Sequence, residues 1–471
     1  MNMRIKHSHA PLTTMVIAGA MIVFSVSFGI TQVRATAASS GNTSWTVYHG
    51  DAIGNGVSTN LKSVTTARRA WTSPVLAGEI YGEPLVYSDD VFVATESDTV
   101  YALTSTRGSI VWSRHLATPV PSTDLPCGNI APTVGITGTP VIDPARSEIF
   151  VVADELVRGG PQHFLFGLST KSGAVELRER VDPPGSTPAA LLQRTGLNLA
   201  DGRVVFGMGG NDGDCATYRG RVISVAEGGS RPAIFTVDNR AGDSQGAVWM
   251  GGAAPVVDAK GNVWVSVGNG SVYDASQGYD DSDSVLELTA TGRLEQYFAP
   301  TSWPSDNSSD LDMSTAPVLL ADGQVILTGK SRIVYLLNGA HLGGIGKQEA
   351  SLPSVCLNDV DGGSAFVGMT VYLPCLSGTV ALRVTKSPAS LGVLWSAGLD
   401  GSAPPIVAAG LVWTVGKNGV LYGLDPSSGR VRRRVSIGAV DNDFTTPSVG
   451  DGLMLVASSN RVVAFRGTPS S

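Results

Sequence analysis

The 471 residues include 57 Gly and 26 Pro, only 15% are charged, and the formal net charge is −7. An acidic balance of this kind argues against a polyanionic partner such as nucleic acid, and no long Lys/Glu-faced helical period supports a helix bundle. Abundant Gly and Pro suit many short strands joined by tight turns, and all-β units often run this long as one domain.

Arg4 and Lys6 precede an uncharged, mostly apolar stretch over 11–33, which is followed by Ala35-Thr36-Ala37. A basic start, an apolar middle and a small-residue A-x-A site describe a secretory signal peptide over 1–37, cut after Ala37. The alternative is an uncleaved anchor, since the stretch is just long enough to span a bilayer, and it would be the only membrane contact. Both readings place the body of the protein outside the cytoplasm, either secreted or in the cell envelope.

A repeat follows. Gly82-Glu83-Pro84-Leu85-Val86 leads to Val91-Phe92-Val93-Ala94, then Val100-Tyr101-Ala102-Leu103, then Gly108-Ser109-Ile110-Val111-Trp112. This order reads as four strands: a small-residue opening strand, an apolar strand, a third strand ending in "YAL", and an outer strand carrying Trp. Further openings stand at Gly138-Thr139-Pro140, Ala253-Ala254-Pro255, Thr315-Ala316-Pro317, Gly363-Ser364-Ala365, Ala403-Pro404-Pro405 and Thr445-Thr446-Pro447. The copy beginning near Arg194 has the weakest opening. Third strands end at Leu103, Leu168, Val225, Leu288, Leu337, Leu382, Leu424 and Phe465, about 40 to 65 residues apart. That spacing is typical of four-stranded blades.

The sequence therefore predicts an all-β, eight-bladed β-propeller over 68–467, with a lead-in over 38–67 and a tail over 468–471. The last copy stops after three strands, while Arg68-Arg69-Ala70-Trp71 reads as an outer strand standing ahead of the first copy. Pairing the two closes the ring and removes exposed sheet edges. Trp71, Trp112 and Trp395 are expected to pack between blades, and the run Arg430–Arg434 to be a solvated outer strand. Cys127, Cys215, Cys356 and Cys375 lack C-x-x-C spacing, so two disulfides are the economical reading in an oxidising compartment. Three pairings are open; Cys127–Cys215 with Cys356–Cys375 is favoured because each joins neighbouring repeats.

The motif Tyr422-Gly423-Leu424-Asp425-Pro426-Ser427-Ser428-Gly429, with the strand ending at Trp112, resembles the repeat of pyrroloquinoline quinone (PQQ) proteins, and the resemblance covers most of the chain. Further stretches resemble the dehydrogenases of that family, including polyvinyl-alcohol-dehydrogenase-like secreted proteins. Trp249-Met250-Gly251-Gly252-Ala253-Ala254-Pro255-Val256-Val257-Asp258 is similar to their "W-x-x-P-x-x-D" strand. Val265-Ser266-Val267-Gly268-Asn269 is similar to "G-x-G-N", and Ser282-Asp283-Ser284-Val285-Leu286-Glu287-Leu288 to "S-D-S-V-L-x-L". Asp310-Leu311-Asp312 resembles the end of "H-D-x-x-D-x-D".

In that family the quinone lies in the central channel with a calcium ion, and an aspartate takes the alcohol proton. The resemblance implies Trp249 as the floor under the quinone, Lys330 as its cationic neighbour, and Asn269 with Asp310 as calcium ligands through hard oxygen atoms. Asn307 stands where the family has its base, and an amide cannot accept that proton. The adjacent Asp306 could serve only after a one-residue shift of the loop. Two functions follow: a propeller that binds a small ligand or an envelope or extracellular protein without dehydrogenase activity, which is favoured, and a PQQ- and calcium-dependent alcohol dehydrogenase passing electrons to a separate acceptor.

Overall fold

The structure, a computed structural model, describes residues 44–238 and 240–470. The signal-peptide reading of 1–37 lies outside the described residues. Eight antiparallel sheets follow one another along the chain as the blades of a propeller. Blade 1 spans 85–115, blade 2 141–180, blade 3 191–236, blade 4 256–299, blade 5 318–352, blade 6 365–398, blade 7 406–436 and blade 8 448–469. The expected third strands all hold the third position in their blades. In five of them the register to the outer strand shifts immediately before the closing Leu: at Leu103, Leu168, Leu288, Leu382 and Leu424. In these five blades the repeat thus encodes a bulge, which adds local twist at the same point of each.

Leu61–Thr72 supplies the fourth strand of blade 8 by pairing antiparallel with Arg461–Pro469. Leu61, Val64 and Trp71 face inward from it, while Lys62, Arg68 and Arg69 are exposed. This is the expected closure, with the strand beginning seven residues ahead of Arg68.

Three tryptophans bind one blade to the next by a common geometry. Nε1 of Trp71, Trp112 and Trp395 donates to the carbonyl of Ser105, Thr170 and Pro426 at 2.7, 2.9 and 2.9 Å. Each indole covers a glycine three residues further on, Gly108, Gly173 or Gly429, whose φ is +65° to +68°. A Cβ there would lie 2.4 to 2.6 Å from the indole, so both the turn and the contact require glycine. Both disulfides form as expected, Cys127 with Cys215 and Cys356 with Cys375. On the rim of blade 7, Val431–Ser436 is the outer strand, and Arg432, Arg433 and Arg434 are exposed on it.

The lead-in crosses one end of the central channel. Residues 45–56 offer carbonyl oxygens to the backbone N–H groups of Val86, Ile142, Val257, Phe366 and Val407, which lie in the first strands of blades 1, 2, 4, 6 and 7, at 2.7 to 3.0 Å. Val57–Ser58 then pairs in parallel with blade 7. Otherwise unpaired inner-edge donors are satisfied in this way. Tyr48 and His49 stack at 4.3 Å and project inward, where the Tyr48 hydroxyl accepts the Gly363 N–H at 3.2 Å. His49 is fully buried, and burial lowers its pKa to about 4, so it is a neutral part of this plug.

Candidate functional site

The resemblance-derived residues come from the other end of the channel. Trp249 and Asp312 precede the first strands of blades 4 and 5, and Asn269 and Lys330 follow the second strands of the same blades. Loops on one side of adjacent blades therefore bring them together. Asp312, buried, is the hub. Its Oδ2 lies 2.6 Å from Lys330 Nζ, and its Oδ1 accepts the Asn269 backbone N–H at 2.6 Å. A Cβ on Gly268 would fall 2.3 Å from Asp312 Oδ1, so only glycine lets the carboxylate approach this backbone.

Lys330 also reaches Asp310 at 3.0 Å and stands 5.5 Å from the Trp249 ring centroid. Burial opposes its charge, but Asp312 and Asp310 outweigh burial and hold the ammonium above the ordinary lysine range. Asp310 is mostly exposed and is held by Lys330. Asp310 and Asp312 are thus both paired to the same cation. Among the described residues no group of three or more His, Cys, Asp or Glu side chains is arranged to hold a metal ion. The donor set does not fit a calcium ion as it stands.

Asp306 and Asn307 lie on the short helix Trp303–Ser308 and are engaged elsewhere. Ser302 Oγ donates to Asp306 Oδ2 at 2.6 Å, and burial raises the Asp306 pKa. Asn307 accepts the Gly270 N–H at 2.6 Å and donates to the Val272 carbonyl at 2.7 Å, so both ends of its amide pin the 270–272 loop.

Sequence reasoning missed the other half of the mouth. Phe444 meets the Trp249 ring edge-on at 6.2 Å, and the Arg194 guanidinium lies 4.9 Å from the Phe444 centroid and 5.7 Å from that of Tyr81. A continuous row results: Lys330, Trp249, Phe444, Arg194, Tyr81. Arg194 is 8% exposed, its Nη2 is buried without an acceptor, and it is in no ion pair among the described residues. Burial lowers its pKa, against the favourable fields of Glu96, Tyr81 and Tyr48. The sequence did carry a signal for it, because a charged residue replaces the small residues of the other blade openings at the copy with the weakest match. Asp283 is also buried, with neither carboxylate oxygen hydrogen-bonded. Burial, then Asp312, Asp306 and Asp280, push it well above the carboxylate range.

A family model described as outer membrane protein assembly factor BamB (PQQ_2) matches residues 29–435. The chain belongs to this family. No curated protein sequence matches it. Among solved structures, this family member is similar to the quinohemoprotein alcohol dehydrogenase ADHIIG of Pseudomonas putida HK5, at 13% identity and TM-score 0.68, covering 91% of this chain and 81% of that one. The quinohemoprotein alcohol dehydrogenase of Comamonas testosteroni gives 13% and 0.68, covering 90% and 80%. BamB of Moraxella catarrhalis gives 15% and 0.55, covering 85% and 97%. At these identities the likeness shows the fold alone, and it spans both dehydrogenases and an assembly factor.

Proposed function

We propose that this PQQ-repeat propeller is an extracytoplasmic binding module whose channel mouth holds a small planar anion and does not oxidise alcohols. The observation that carries the reading is Arg194, a buried guanidinium whose Nη2 has no acceptor and which is in no ion pair among the described residues, in line with the rings of Phe444 and Trp249. An unpaired buried cation is costly, and an anionic group placed against it would be strongly favoured. Stacking on Trp249 would orient a planar ligand, with Lys330 at its far edge.

Asn307 supports the non-catalytic half, since an amide already bonded at both ends cannot serve as a base. The basic start and A-x-A site, together with two disulfides, support export. Exposed loops around the mouth would suit an envelope or extracellular protein partner. The dehydrogenase reading is favoured by one observation, the grouping of Trp249, Lys330 and the Asn269 backbone around Asp312. It needs a base that Asp306, turned to Ser302, would have to supply.

PQQ itself is the direct probe, being a planar quinone that bears carboxylates. Tryptophan fluorescence should be quenched saturably on titration, with the quench lost in Trp249→Ala and affinity reduced at least tenfold in Arg194→Gln. Quenching indifferent to both substitutions would sink the proposal.

A further inference from the structure

A second basic site is bounded by the outer strand of blade 2 and by blade 3. A groove of about 970 Å³ opens between blades 2 and 3, bounded by the outer strand Val175–Arg180, the segment 182–187 and the start of the strand Arg221–Ala226. Its size falls within the range of small-molecule clefts. Pro183, Pro184 and Pro232 form part of its walls, and their fixed φ makes those walls stiff before any ligand arrives.

The groove's charge is unbalanced in a chain whose net charge is −7. Four arginines line it, Arg180, Arg219, Arg221 and Arg231, against Glu179 and Asp182. Asp182 is already engaged, at 2.7 Å from His163 Nδ1 and 2.8 Å from Arg180 Nε. Arg219 and Arg221 stand two residues apart, a spacing that puts both on one side of an extended chain. Arg219 directs its guanidinium to the carbonyls of Asp243 and Arg240, which are neutral acceptors. Arg221 donates Nη1 to the Gly220 carbonyl at 2.9 Å, while its Nε is buried without an acceptor. Neither is in an ion pair among the described residues. Burial, then the Arg219 charge, lower the Arg221 pKa to about 10.

We infer that this groove binds a small polyanion carrying carboxylate or phosphate groups, anchored by Arg221 and Arg219, with Arg231 at the rim. Guanidinium forks match both kinds of group, and one bound anion would relieve the repulsion between the paired arginines. The ligand is distinct from that of the channel, and the inference does not depend on the channel reading.

Calorimetric titration of the full chain with inorganic pyrophosphate and with citrate, at ionic strength held constant with chloride, tests it. Saturable one-to-one binding of pyrophosphate alone assigns a phosphate ligand, and of citrate alone a carboxylate ligand; either outcome supports the site. Arg221→Gln should weaken binding at least tenfold. Arg231→Gln, at an exposed residue, should weaken it about threefold with the unliganded melting temperature unchanged, while Arg194→Gln should have no effect. Binding of neither probe, binding indifferent to Arg221→Gln and Arg231→Gln, or binding lost in Arg194→Gln would each overturn the inference.

Discussion

Lys330 Nζ lies 2.6 Å from Asp312 Oδ2, and the other oxygen of that carboxylate holds the Asn269 backbone N–H at the same distance. One carboxylate thus joins the loops of blades 4 and 5 at the channel mouth. Replacing Lys330 by Met would leave Asp312 buried with an unopposed charge, at a cost on the order of 3 kcal/mol. Lys330→Met with Asp312→Asn should recover much of that loss. Chemical denaturation of the two single variants and the double variant measures the coupling. Additive effects would show that the pair does not hold the mouth together.

Closure of the ring rests on 61–72. Deleting 62–74 should remove the outer strand of blade 8, expose the edge of Arg461–Pro469 and promote aggregation. Trp71→Ala is the milder test. It removes the indole from Gly108 and leaves the Ser105 carbonyl without its donor, so a loss of about 3–5 kcal/mol is expected. An unchanged melting temperature in either variant would place the closure elsewhere.

A pH dependence follows from His163, buried in blade 2 with Nδ1 2.7 Å from Asp182 and Nε2 3.0 Å from Asp154. Burial opposes its charge, yet the two carboxylates outweigh it and raise the pKa to about 10. A folded pKa above the unfolded value of about 6.5 means that stability is fully present below about pH 6.5 and is lost as pH rises toward 10. Asp98 has the same sign. Burial, then Asp154, Glu96 and Glu155, raise it to about 10, so its contribution declines from about pH 4 upward. Melting temperatures should therefore fall between pH 7 and 10, with a smaller slope in His163→Gln and a smaller one still when Asp98→Asn is added. A slope unaltered by both changes would contradict the assignment.

The architecture was legible because propeller repeats write their constraints locally. The turn glycine that each indole covers and the bulge before the closing Leu of five blades are written within one repeat and the next, and the last copy visibly stops after three strands. The mouth was half legible for the opposite reason. Trp249, Asn269, Lys330 and Asp312 belong to two consecutive blades, so their motifs lie close together in sequence. Arg194, Phe444 and Tyr81 come from blades 3, 8 and 1 and meet only when the ring closes. The same holds for the lead-in, whose carbonyls are matched to donors in five blades, a pairing that no local pattern announces.

A channel that holds its ligand without oxidising alcohols is open to one decisive assay. The most direct measurement is dye-linked oxidation of primary and secondary alcohols by the protein given PQQ and calcium. No turnover above a protein-free control is expected, because Asn307, which by resemblance stands where the dehydrogenases have their base, donates to Val272 and accepts from Gly270, and losing a general base alone costs about 10²–10⁴-fold in rate. Robust turnover that disappears in Asp306→Ala would contradict it, showing that Asp306 leaves Ser302 and acts as the base.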